Sequence, residues 1–120
     1  MRFLILYSKG DQWMEQIALH NQLSIPEHAV YVQEHFDVGM VVLAGAFGDE
    51  TGGAVLIDVA SKNELHTFIQ NDPAVISGVF SYEFKEWGKK MSKFEGISPG
   101  FDQGYVDYKH EIQRELKLTE

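Results

Sequence analysis

Apolar and polar positions alternate along the chain in a way that predicts four short strands and three helices, punctuated by turn residues. Residues 2–7 are a β-rich run closed by Ser8-Lys9-Gly10-Asp11, which predicts a first strand. Phe3, Ile5 and Tyr7 share one of its faces and Leu4 and Leu6 the other, so both faces call for cover. Residues 8–23, with Trp13, Met14 and His20, show no clean period; long connections of this kind are often lids or binding loops. Ser24-Ile25-Pro26-Glu27 has the spacing of a capping box with proline in the first turn. Ile25, Ala29, Val32 and Phe36 then form a helical stripe that Gly39 ends.

Met40 to Ala46 and Ala54 to Val59 are continuous apolar runs suited to buried strands. The glycine-rich stretch Phe47-Gly48-Asp49-Glu50-Thr51-Gly52-Gly53 between them predicts a hairpin, with glycines needed for backbone turns. Ser61-Lys62-Asn63-Glu64 is a second capping box, opening a helix with Leu65, Phe68 and Ile69 inward. Asn71-Asp72-Pro73 closes it, because the residue before proline disfavours the helical region. Val79 to Trp87 predicts the fourth strand, with Phe80, Tyr82 and Phe84 on one face. The order β-α-β-β-α-β is that of a ferredoxin-like α+β domain with an antiparallel four-stranded sheet. Residues 88–104 follow as a loop and 105–118 as an amphipathic helix, so the expectation is one domain, with a core over 1–87 and an extension over 88–120.

Composition narrows the functional classes. The chain has no cysteine, which excludes disulfides, thiolate metal sites and cysteine nucleophiles. Its net charge of −8 disfavours nucleic-acid phosphates and anionic lipid headgroups. Lys85, Lys89, Lys90 and Lys93 are diluted by Glu83, Glu86 and Glu95 and read as a solvated segment. The apolar run at the N-terminus is too short for a signal-peptide core, and no stretch approaches the ~20 apolar residues of a membrane span, so a cytoplasmic protein is expected.

Topology alone then gathers candidate chemistry. If the first strand points up, the long connection, the 46–53 hairpin, the start of the first helix and the Asp72-Pro73 turn all lie at the top. His28, Asp72, Asp49 and the Trp13 loop therefore converge on one edge of the sheet, where a rigid scaffold gathers several loops. A helix N-terminus disfavours imidazolium, and a carboxylate at Asp72 would orient the ring and stabilise the cation once formed. Together they make an acid–base pair. The alternative is a histidine that only bonds a neighbouring loop, and an aspartate that only bonds its own backbone before proline. Trp13 and Phe47 are candidate aromatic walls of a pocket, with Gly45 and Asp49 as further substrate contacts. Trp13 reads as a hydrophobic lid or, the preferred reading, as a packing residue that pins its loop.

Other sites are weaker. His28 and His35 lie two helical turns apart with Val32 between them, so no metal site is expected. His20 is able to face the site, whereas His66 and His110 read as solvated. The glycine-rich loop lacks the spacing of a phosphate-binding loop, and Asp49 and Glu50 would repel an anion.

An ordered set of residues resembles the YCII-related family: His28-Ala29-Val30-Tyr31, Gly39, Ala44-Gly45-Ala46-Phe47, Gly52-Gly53, Asn71-Asp72-Pro73-Ala74-Val75, Gly78-Val79-Phe80 and Trp87. The resemblance implies a ferredoxin-like fold that forms a homodimer through its sheet, as in dimeric α+β barrel proteins. It also implies a histidine–aspartate centre, carried onto His28 and Asp72. Relatives resemble lyases or isomerases that act on small cyclic, sometimes chlorinated, compounds. Ala46 departs from the family's usual proline, and nothing carries over to residues 88–120. Two functions from different classes follow. One is a cofactor-free enzyme moving a proton on a small cyclic or carbonyl compound. The other is a non-catalytic dimeric module that binds a small ligand or a protein partner.

Overall fold

In the computed structural model, which describes all 120 residues, the first apolar run becomes β1 (Arg2–Lys9) and pairs on both sides. The sheet order is β2-β3-β1-β4, with β2 at Val41–Ala46, β3 at Gly53–Asp58 and β4 at Phe80–Glu86, every pair antiparallel. Helix α1 (Ile25–Asp37) and helix α2 (Lys62–Gln70) complete the ferredoxin-like α+β arrangement. The chain divides into two compact units, Met1–Gly88 and Lys89–Glu120.

Alternation sorts the central strands. Phe3, Ile5 and Tyr7 of β1 and Val55 and Ile57 of β3 are buried and meet Leu65, Phe68 and Ile69 of α2 in the core. Leu4 and Leu6, on the other face, are only half-buried, so β1 is fully covered on one side alone. Register puts Leu56, Ala54 and Leu43 beside them on that outer face.

Three local expectations differ from the structure. Ser24 has φ 69° and its side chain caps nothing, so the first capping box does not form; Pro26 and the His28 N–H to Ser24 carbonyl bond (2.9 Å) start the helix instead. In the left-handed region the hydroxyl is turned from the amides that a box would satisfy. The run from Met40 is not a buried strand: β2 is an edge strand, and Leu43 to Ala46 are exposed. It pairs only with β3, through a register shift between Val41 and Leu43. Asp72-Pro73 does not merely end α2. It opens a further helical turn, α3 (Pro73–Ile76), with Asp72 as N-cap accepting from the Ala74 N–H at 2.9 Å.

Elsewhere local chemistry acts as expected. Ser61 accepts from the Glu64 N–H (3.2 Å) while Glu64 reaches back to the Ala60 N–H (3.0 Å). Gly39, at φ 85°, ends α1 as only glycine does without strain. Gly52 and Gly53 answer a different need from a turn. A Cβ on Gly52 would stand 2.0 Å from the Tyr7 carbonyl oxygen, and one on Gly53 2.6 Å from that of Gly45. They let β1, β2 and β3 close up at the top of the sheet.

The second unit holds α4 (Gln103–Glu115), capped by Asp102, which accepts from the Tyr105 N–H at 3.1 Å. Before it, Ser92 and Ile97 form a two-bond bridge, and Lys89 pairs with Glu95 at 2.6 Å. No residue of α4 is buried within the structure. No helix of the protein is long and apolar enough to cross a membrane.

Candidate active site

The two ends of the candidate pair are delivered by different elements. His28 rides in the first turn of α1; Asp72 is fixed at the start of α3 by its own capping bond. They meet: His28 Nδ1 lies 2.7 Å and 2.9 Å from the two Asp72 oxygens. Asp72 has no exposed surface, and 16% of the His28 side chain is exposed. A carboxylate only accepts, so the short contacts assign a proton to Nδ1, which donates; in the neutral ring the Nε2 lone pair is then free. Asp72 thus does two things at once, capping α3 through the Ala74 N–H and holding His28.

Aromatic rings fix the imidazole from two sides. Tyr7 stands edge-on to it at 5.2 Å and Phe80 at 5.3 Å, the latter perpendicular. Tyr7 and Phe80 themselves stack at 5.3 Å. Burial, with the Asp72 charge second, pushes the Tyr7 phenol far above its ordinary range. The same causes in the same order, with Glu34 adding to them, push Tyr31 up to about 12. Tyr31 donates to the Phe68 carbonyl at 2.8 Å.

His28 opens onto a cavity of about 520 Å³ between α1 and the β2–β3 side of the sheet. The stripe Ile25, Ala29, Val32 and Phe36 lines one wall; Ala44, Gly45, Ala46, Gly53 and Val55 line the other, with Tyr7 and Phe80 at the His28 end. The stripe that periodicity assigned to the core lines this cavity, with Ile25 and Val32 also packed against the edge of the core, and no residue of α1 is fully buried. An apolar slot with few polar groups is the usual form of a small-molecule site. Its polar lining side chains are His28, His20 and Gln33; Tyr7 lines it too, with its hydroxyl buried.

Of the remaining sequence candidates only one lines the cavity. Gly45 lines the cavity; Trp13, Phe47 and Asp49 do not. Trp13 stacks on Phe80 at 6.4 Å with Lys9 Nζ over its ring at 5.3 Å, so it buttresses the ring that touches His28. Phe47 sits at the hairpin, where its N–H donates to the Gly52 carbonyl, and the residue is 38% exposed. Asp49 is spent on the same turn: its carboxylate accepts from the Thr51 hydroxyl (2.7 Å) and N–H (3.1 Å), bonds that hold it below the usual carboxylate range. His35 does not point where His28 does. Its Nδ1 bonds the Tyr31 carbonyl, and its ring packs on Tyr31 and Phe68. No group of three or more histidine, aspartate or glutamate side chains gathers in a way that could hold a metal ion. His66, read as solvated, is half-buried edge-on to Phe84 at 5.4 Å.

Gln22 escaped the sequence reading. It is 1% exposed and closes the long loop on itself, accepting from the Met14 N–H (2.9 Å) and donating to the Met14 and Ile17 carbonyls (2.7 and 2.8 Å). That clamp sets Leu19 and His20 against the cavity. A glutamine in a polar loop carries no signal that it will be buried.

Residues 1–88 match the model of the YCII-related domain, the same span as the first compact unit. The chain belongs to the YCII-related family. No curated protein matches it. Among solved structures, this YCII-related chain is similar to the 5-chloro-2-hydroxyhydroquinone dehydrochlorinase (TftG) of Burkholderia phenoliruptrix AC1100, solved in complex with 2,5-dihydroxybenzoquinone. The two are 24% identical with a TM-score of 0.54, over 76% of this chain and 96% of the other. At that identity the likeness establishes the shared fold.

Proposed function

We propose that this YCII-related protein is an enzyme that moves a proton on a small cyclic, hydroxyl- or carbonyl-bearing compound, with His28 as the acid–base group and Asp72 as its orienting partner. The observation that carries this reading is the Nδ1-bound His28–Asp72 pair at the end of the apolar cavity. Nε2, the free nitrogen, accepts a proton from an acidic O–H or C–H of the ligand. The released electron pair forms a new π bond in the ring. In an isomerase-type step the proton returns to another ring atom; in a lyase-type step a leaving group departs with its bonding pair. Both are redox-neutral. Asp72 keeps the ring in the required tautomer and stabilises the imidazolium that forms. The likeness to a dehydrochlorinase supports the lyase form, because loss of HCl from a hydroxylated ring is this kind of step.

A homodimer through the outer sheet face belongs to the same proposal. Leu4, Leu6, Ala54 and Leu56 are only half-buried there, and Leu43 is 59% exposed, an apolar patch of the sort that marks an interface. The second reading, a ligand-binding module without catalysis, keeps the cavity and dispenses with the proton transfer.

The deciding experiment screens hydroxylated and chlorinated hydroquinones and cyclic ketones for turnover by wild type and His28→Gln. Acid–base catalysis predicts that His28→Gln loses about 10²-fold or more in turnover while still binding ligand. Equal turnover by the two proteins would sink the enzymatic reading; binding without turnover in the wild type would favour the module.

A further inference from the structure

Tyr7 is the member of the His28 cluster to which the proposed chemistry gives no task. It is 2% exposed in the middle of the fold, edge-on to the imidazole and stacked on Phe80. Its hydroxyl is sealed from solvent and falls short of full hydrogen-bond geometry with any group, while the Asp72 carboxylate acts on it by charge and at hydrogen-bonding reach. No other buried side-chain polar atom in the protein is left so. Packing does not account for it. Phe3 and Ile5 occupy the same face of β1, and phenylalanine at position 7 would fill the same volume with no polar atom to satisfy. A buried hydroxyl that falls short of full hydrogen-bond geometry destabilises a fold, so one that persists calls for a specific cause.

The surroundings of Asp72 supply that cause. Its carboxylate accepts from the Ala74 N–H and from His28 Nδ1, which leaves acceptor capacity among its roughly four lone-pair sites. We propose that Tyr7 is a positioning residue of the dyad, its hydroxyl a donor towards Asp72 that fixes the carboxylate's rotation and, through it, the aim of the His28 imidazole. This rests on the reading of His28 and Asp72 as the acid–base centre. A phenol so buried beside a carboxylate keeps its proton, so the donor is always present. Tyr31 is a built-in control. Asp72 bears on it too, but its hydroxyl is already committed to the Phe68 carbonyl.

The test is proton NMR of the unliganded full chain, following the His28 Nδ1–H resonance in wild type, Tyr7→Phe, Tyr31→Phe and Asp72→Asn, with a thermal melt of each. Positioning predicts that Tyr7→Phe shifts this resonance and speeds its exchange with water while the melting temperature stays level or rises. Tyr31→Phe leaves the resonance in place. If Tyr7→Phe leaves the resonance and its exchange unmoved, whatever the melt does, the hydroxyl does not act on the dyad and the proposal is overturned. If Asp72→Asn fails to abolish or displace the resonance, the dyad itself falls, and the proposal falls with it. The two failures are therefore told apart by which variant is silent.

Discussion

Helices α1 and α2 lie on the same sheet face and carry the same kind of apolar stripe, yet they end in different surroundings. Leu65, Phe68 and Ile69 of α2 are at most 1% exposed, packed on β1 and β3. The α1 stripe stands across a cavity from β2 and β3, and Phe36 remains 52% exposed. One helix closes the core and the other holds a space open. The difference arises from what lies beneath them. Under α2 the strands present Phe3, Ile5 and Ile57; under α1 they present Ala44, Ala46 and Gly53, whose short side chains leave room between sheet and helix. Stability and function are thereby assigned to opposite halves of one layer, and His28 belongs to the open half.

That contrast can be broken most directly by truncation. Leu65→Ala or Phe68→Ala should lower unfolding free energy by about 3–5 kcal/mol in urea titrations, the cost of a cavity in a filled core. Val32→Ala, on the cavity side, should cost under about 1 kcal/mol and change ligand affinity instead. Equal costs at Phe68 and Val32 would abolish the distinction between the two helices.

Asp72 joins the halves and gives an intermediate effect. Asp72→Ala removes a helix cap and strands the His28 donor, together about 2–4 kcal/mol by the same measurement. Asp72→Asn retains a capping oxygen and should cost less, while still removing the negative charge that an imidazolium needs. If alanine and asparagine prove equally costly, capping is not part of the residue's role.

The smallest effect is at alkaline pH. Tyr31 titrates near 10.0 when unfolded and is raised to about 12 when folded, so the folded state holds its proton more tightly. Its contribution is full below pH 10.0 and is lost as pH climbs towards 12. Urea midpoints should therefore fall across that window, and Tyr31→Phe should flatten part of the fall. An unchanged slope in that variant would remove Tyr31 from the account and leave Tyr7, whose phenol is raised further by burial and by Asp72, as the next group to test.

Much of the site was legible because its determinants are local. Pro26, Gly39, the Ser61–Glu64 box and alternation in β1 and β4 act within a few residues, and strand order then forces the His28 and Asp72 ends together. What was not legible depends on distant partners. The first capping box failed at a single backbone angle in Ser24. Gly52 and Gly53 are demanded by carbonyls of β1 and β2, not by a turn. Gln22 is buried because the loop folds around it, and Trp13 reaches His28 only through Phe80.

From its amino acids alone this protein determined its ferredoxin-like element order, its helix boundaries to within a few residues and its membership in a histidine–aspartate pattern, since periodicity and turn chemistry are properties of neighbouring residues. Tertiary structure alone decided that one amphipathic helix would fill the core and the other would frame a cavity. It also decided that a tyrosine hydroxyl would be buried against the aspartate, because the volume and partner of a side chain depend on residues far along the chain.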